Sequence, residues 1–317
     1  MHIPLLVTIG AVLSWAALSA VSRILLLRLD LDPWAFSFVQ LFAGGVALVA
    51  LSGRPLLEFS SFLRPTTWLL GILRVLSAAF YTAVLAWVSV LEAGILGAVN
   101  VPMIAIAVWV AFGRRPARGE WLGHLVILVP IPFLVLNLEG GIWHPVVGLM
   151  LLNEVCLVAN TLLAERHPDN VSDEPGLRLR FTGSVLLITA ALFLAVRVMQ
   201  AGAGGGLEGG PQGVMTGGIW DWRLWLAGAA VGVTLRAPSM LLSFWSIRLV
   251  GGQNYMAAVS LLPLSGMLFE QAALAAGLLD VSRFRVETVV LALGILAGSL
   301  LVVAARFREA RAAAVQS

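Results

Sequence analysis

The sequence predicts an all-α integral membrane protein with ten transmembrane helices, arranged as two inverted five-helix repeats. Three observations carry that prediction. The chain of 317 residues is 60% hydrophobic and only 12% charged, whereas a soluble domain carries about 25% charged residues. Its apolar residues gather into stretches long enough to cross a bilayer as helix, which takes about 20 residues. A short pattern also recurs. Arg74 is followed by Ser77, Tyr81 and Pro102 in the first half, and Arg236 by Ser239, Ser243 and Pro263 in the second. Helical positions i, i+3 and i+7 share one face, so each copy presents an arginine and two hydroxyl groups on one stripe.

Ten apolar stretches stand out, at residues 3–27, 34–51, 68–91, 93–112, 121–138, 145–164, 179–199, 222–249, 253–278 and 286–305. Several begin beside a tryptophan, namely Trp34, Trp68, Trp121, Trp143 and Trp222. An indole there suits the headgroup level of a membrane. The first stretch lacks a basic leader and a small-residue cleavage site, so it is expected to remain as a true span. The loops after spans two, four, six and eight, with the C-terminus, hold Arg54, Arg64, Arg114, Arg115, Arg118, Arg166, Arg178, Arg248, Arg306, Arg308 and Arg311. The opposite loops hold Arg28, Arg223, Arg283 and Arg285, offset by Asp30, Asp32, Asp221 and Asp280. By the positive-inside rule both termini are expected in the cytoplasm of a cell with a bacterial-type inner membrane.

Five spans per half turn the second half over relative to the first, the plan of many secondary transporters. The first repeat is expected over 1–138 and the second over 145–306. Residues 201–218 read as a flexible non-cytoplasmic loop, because they are rich in glycine. Residues 307–317 read as a cytoplasmic tail. Every basic residue is arginine, which we read as a bias of the genome. No basic run is interleaved with aromatics, so nucleic acid is not an expected partner. The single cysteine, Cys156, excludes an internal disulfide and any CxxC site. His124 and His144 are not at metal-ligand spacing and read as interfacial; no metal or cofactor is expected.

In its five-plus-five layout, its short hairpins, Pro102 and Pro263 early in spans four and nine, and the segment Gly113–Arg114–Arg115–Pro116 followed by Trp121 and Gly123, the chain resembles the drug/metabolite transporter superfamily in its ten-helix EamA-type branch. The resemblance covers roughly residues 3–305. It implies a central cavity lined by helices one, three, four, six, eight and nine, and movement of small metabolites by alternating access.

Ionisable side chains in a bilayer are costly, about 2.5–3.5 kcal/mol each at the centre of a span on insertion scales, so they face the bundle interior, pair, or act. Arg236 falls mid-span, beside Pro238, which is expected to kink its helix. It is a candidate substrate contact with Ser239 and Ser243; a fixed ion pair is the alternative. Arg74 lies nearer the cytoplasmic end and is either a second contact, with Tyr81, or a snorkelling side chain. Glu154, near the centre of span six beside Asn153, is the candidate proton-coupling group, or else the ion-pair partner of an arginine. Glu270, on a span-nine stripe with Ser260 and Pro263, is a cavity carboxylate or a near-surface ion pair. Asn100 and Trp15 complete the candidate substrate-binding set, although a buried Asn often holds helices together and a mid-span Trp often only packs. Pro102, Pro238 and Pro263 are the candidate hinges. The GxxxG pairs Gly228–Gly232 and Gly294–Gly298 read as close helix contacts.

No metalloprotease or esterase motif occurs and no Cys–His pair has the spacing of a nucleophile and base, so an enzyme is not expected. A channel would need a repeated polar ring. The expected function is therefore secondary transport, as export, of a small metabolite that is amino-acid-like or another organic anion or zwitterion. Two buried arginines suit a carboxylate or phosphate. Buried Glu154 and Glu270 make proton-coupled efflux of cationic, drug-like compounds the alternative. The expected partners are the small-molecule substrate, the lipid bilayer and a coupled proton.

Overall fold

The computed structural model describes residues 2–316 other than 56–57, 86, 139, 203–220 and 280–285. Among the described residues the chain is helical with no strand. Nine helices are long and apolar enough to cross a membrane. The fifth expected span is a shorter apolar helix, Glu120–Leu136. It is made of Glu120–Leu128 and Pro130–Leu136, because Pro130 has no N–H to continue the ladder. Most of the Gly-rich segment expected as a loop lies outside the described residues; its first two residues end the helix Pro175–Gly202. The expected tail is helical backbone, the end of Val286–Gln316.

The element ends follow from local chemistry. Asp32 accepts the Ala35 N–H at 2.7 Å to cap span two, Pro33–Leu51. Ser89 and Glu92 close a reciprocal box at the start of span four, satisfying two backbone donors that a helix start leaves open. Gly113 ends span four at φ 68° and Gly251 ends span eight at φ 79°, values that side-chain-bearing residues rarely adopt.

The main helix pairings are one with eight, three with six, two with seven, five with ten, and four with nine. Further pairs join one with nine, four with six, two with eight and three with seven. Exchanging every span for the one five places later turns these nine pairings into themselves, whereas the contacts of span eight with spans six, seven and nine and of span four with span ten have no comparable counterpart. Glycines make the closest contacts possible. A Cβ on Gly232 would lie 2.6 Å from the Gln40 carbonyl oxygen, and one on Gly298 would lie 2.8 Å from the Gly123 oxygen. The two GxxxG pairs thus seat span eight on span two and span ten on span five, as small residues allow in lipid, where packing takes the place of the hydrophobic effect.

Besides span five, three spans are interrupted among the described residues. Span four is Val90–Gly97 and Asn100–Phe112; span nine is Gly252–Val259 and Leu262–Ala275. Pro102 cannot bond the Ala98 carbonyl, which takes the Val101 N–H at 3.2 Å instead. Before Pro263 the Leu261 N–H likewise reaches back only to Ala258, at 3.0 Å. Such tightened turns are where a helix bends. A side chain at Gly94 would run into the Pro263 ring, so the two broken spans meet close to their breaks. Span eight runs as Trp222–Val231, one π-turn at Gly232–Arg236, then Ala237–Val250. The kink expected at Pro238 is therefore taken up one turn earlier, where the Ala237 N–H bonds the Gly232 carbonyl.

One end of the bundle carries the arginine-rich loops and is densely paired. Arg306 bonds Glu120 at 2.7 Å and Asn254 at 2.9 Å. Arg54 bonds both Glu58 and Glu174, Arg248 bonds Asp173, and Arg64 faces Asp169 at 3.2 Å. Ser61 donates to Asp169 at 2.8 Å, and Asn170 donates to the Ala164 and Phe244 carbonyls. His167 is buried in this network, stacked on Phe181 with centroids 4.2 Å apart. Its Nδ1 accepts the Asp169 N–H at 3.3 Å, which leaves Nε2–H to donate to Thr67 at 3.1 Å. Burial, and the Arg64 charge after it, hold this ring down at about 4 against the pull of Asp169, so it stays neutral.

Candidate functional site

Trp15 is the centre of the site. It stands mid-way along span one, His2–Leu29, and its Nε1 donates to the Ser243 hydroxyl of span eight at 2.7 Å. The Arg236 guanidinium carbon lies 5.0 Å from its ring centroid and that of Arg74 lies 5.9 Å away. Both are within the range at which a cation is drawn to the negative face of an indole. Tyr255 of span nine is buried beside them, near Ser243 and within electrostatic reach of Arg74. Spans one, three, eight and nine thus bring two cations, an indole, a phenol and a hydroxyl to one place. Neither arginine forms an ion pair among the described residues, and the buried Nε of Arg236 has no hydrogen-bond partner. Arg74 does not snorkel: its guanidinium turns inward onto Trp15.

A second polar group lies between spans three, four and six. Ser77 donates to the Asn153 oxygen at 2.6 Å, and the Asn153 amide donates to Glu154 Oε1 at 2.7 Å. Asn100, at the start of the second half of span four, reaches the same carboxyl, and Tyr81 feels its charge. A Cβ on Gly97 would lie 3.0 Å from Glu154 Oε1, so the carboxyl faces the break in span four directly. Glu154 is 1% exposed and its Oε2 is unpartnered, as is Oδ1 of Asn100. No arginine pairs with Glu154 among the described residues, so the ion-pair alternative for Glu154, Arg74 and Arg236 is not what the fold adopts.

The remaining candidates lie elsewhere. The Ser239 hydroxyl is spent on its own helix, on the Leu235 carbonyl at 2.6 Å. The Ser260 hydroxyl is hydrogen-bonded to the Ala257 carbonyl and to the Ser299 hydroxyl of span ten, both at 2.7 Å. Glu270 bonds Arg23 of span one at 2.6 Å, the ion-pair alternative. The histidines are less simply interfacial than their positions suggest. His124 is buried 3.8 Å from Glu120, and His144 caps span six through Val146 N–H and packs edge-on against Trp87. Tyr255 was not among the expected residues. One signal was available: it is one of only two tyrosines in the chain, the other being the candidate Tyr81. Among the described residues no group of three or more His, Cys, Asp or Glu could hold a metal ion.

Residues 2–136 match the model of the EamA-like transporter family. No curated protein matches the chain. Among solved structures, one titled "Crystal structure of protein" is 18% identical, with a TM-score of 0.65 over 95% of this chain and 98% of its own. At that identity the likeness speaks for the fold.

Proposed function

We propose that this chain, which matches the EamA-like transporter family over residues 2–136, is a multi-pass membrane transporter of the drug/metabolite type that exports a small organic anion or zwitterion by alternating access. The observation that carries the proposal is the pair Arg74 and Arg236. Both lie on Trp15, and neither has an acidic partner. A structural arginine in lipid is matched by a carboxylate; an unmatched pair favours a charge that arrives with the substrate. Trp15 and Tyr255 offer its organic body an aromatic wall. The spans that line this place include broken span nine and π-bulged span eight, and nine of the span pairings map onto one another when the halves are exchanged. These features support two inverted five-helix repeats, 1–138 and 145–306, rocking about the site. The arginine-rich end is then the cytoplasmic one, with both termini there and the membrane a bacterial-type inner membrane.

Glu154 is the coupling group in this reading. Its carboxyl is dry and faces the break in span four, so taking up or losing a proton there acts on a hinge. Glu154→Gln should abolish accumulation driven by a pH gradient while leaving substrate binding in place. A mutant that still concentrates substrate against such a gradient rules this role out. The unpartnered Oε2 of Glu154 also favours a second reading, proton-linked efflux of cationic compounds. Counterflow in proteoliposomes separates the two: organic anions should exchange and lipophilic cations should not. Exchange of cations alone would overturn the anion reading.

A further inference from the structure

We propose that the substrate carries two negative charges, as a dicarboxylate or a phosphate monoester with a flat apolar body, and that Arg74 and Arg236 each take one. The inference rests on the anion reading above and goes past it to the charge of the substrate. Its ground is a balance. Elsewhere in the bundle several buried or half-buried arginines meet acids, Arg306 with Glu120, Arg23 with Glu270 and Arg180 with Glu58, while Arg178, at the arginine-rich end, bonds the Ser172 carbonyl and lies over Trp245. Arg74 and Arg236 share one indole ring and repel one another. The only acid on the adjoining polar group, Glu154, is held by Asn153 and Asn100. Arg74 and Arg236 are therefore two cations without a described acid, mid-way along the spans.

A monoanion neutralises one of them and leaves the other as costly as before. A zwitterion brings its own cation into a place already short of negative charge, with no described carboxylate on Trp15, Tyr255 or Ser243 to receive it. A dianion removes the whole imbalance. Each guanidinium also has the planar fork of donors that a carboxylate or phosphate fits in pairs, and the buried Nε of Arg236 has no hydrogen-bond partner within the protein. Trp15 lies beside both forks, so a flat body between the two charged groups would rest on the indole.

The test compares probes that differ by one charge on the same body. The purified full chain in detergent is titrated calorimetrically with phthalate and its monomethyl ester, and with phenyl phosphate and its methyl ester. Each dianion should bind at least tenfold more tightly than its ester, and Arg74→Gln or Arg236→Gln should erase that preference. Preference for phthalate alone assigns dicarboxylates, and preference for phenyl phosphate alone assigns phosphate monoesters. Esters binding as tightly as their dianions, with both lost in Arg236→Gln, overturn the dianion inference and leave the anion reading standing. If none of the four binds, or Arg236→Gln binds them as the wild type does, the anion reading itself falls. The wild-type comparison needs no variant, so it decides the matter even where a substitution fails to fold.

Discussion

Arginines occupy two kinds of place in this molecule. At the arginine-rich end, Arg306 meets Glu120 with side chains 14% and 5% exposed, and Arg54, Arg64 and Arg248 each have an acid. In the middle, Arg74 and Arg236 have an indole and no acid. The first kind holds helices together, because a paired charge is satisfied only in one arrangement of the chain. The second kind holds nothing together and is tolerated at a cost. Arg115, Arg166 and Arg178 also lie on aromatic rings without an acid among the described residues, but at the arginine-rich end; the difference teaches that an unmatched charge in the middle of the spans is where to look for work.

The sharpest way to break that comparison is to remove one arginine of each kind. Arg306→Ala leaves Glu120 buried without its partner, a change that costs about 3–5 kcal/mol in other proteins, so its melting temperature in detergent should fall steeply. Arg236→Ala breaks no ion pair. Its melting temperature should stay level or rise, while affinity for an organic anion falls by roughly a hundredfold, the loss expected for charge-assisted bonds of about 1.5–3 kcal/mol. A steep loss of stability in Arg236→Ala would place both arginines in the same class and end the distinction.

A finer cut is Arg236→Lys. Lysine keeps the charge but loses the planar fork, so affinity should fall by about tenfold, between wild type and alanine, if bidentate bonding matters. Affinity equal to the alanine variant would mean that geometry rather than charge carries the contact.

The smallest effect concerns the paired end. His167 is neutral in the folded chain at about 4, while an unfolded histidine titrates near 6.5. Between those values the unfolded chain binds the extra proton, so stability is lost as the pH falls from about 6.5 towards 4 and levels off below. Melting temperature should drop over that window. The drop should shrink in His167→Asn, whose oxygen can still accept the Asp169 N–H. An unchanged slope would assign the acid sensitivity to the surrounding carboxylates.

The helices were largely legible in the sequence because lipid forces every backbone polar group to be met within its own helix, and apolar length alone then marks a span. The recurrence of Arg-x-x-Ser and of the prolines also pointed at spans three, eight, four and nine, which are the ones that meet or break. Pairing was less legible. Glu270 and Arg23 are 247 residues apart, and whether they touch depends on how spans one and nine are rotated, which no local pattern states. Ser239 sits on the stripe with Arg236, yet its hydroxyl folds back onto Leu235; face and contact are different things. Tyr255 sits in an ordinary apolar run and meets Arg74 only through the crossing of spans. Pro238 marks the interruption of span eight in the sequence, but the form it takes, a π-turn at Gly232–Arg236, depends on one slipped hydrogen bond that no residue type announces.

The contact of Gly94 with the Pro263 ring bears on how motion would pass across the molecule. With no side chain between them, spans four and nine touch at a point of almost no thickness. The first half of span four lies against the second half of span nine, and the second half of span four against the first half of span nine. In the proposed rocking, such a crossing would serve as a fulcrum. It resists sliding, since the proline ring is wedged against backbone, but it leaves rotation free. Because each lever is already jointed near that point, opening the jaws at one end would draw them together at the other, and a larger residue at position 94 would spread the levers and jam both ends at once.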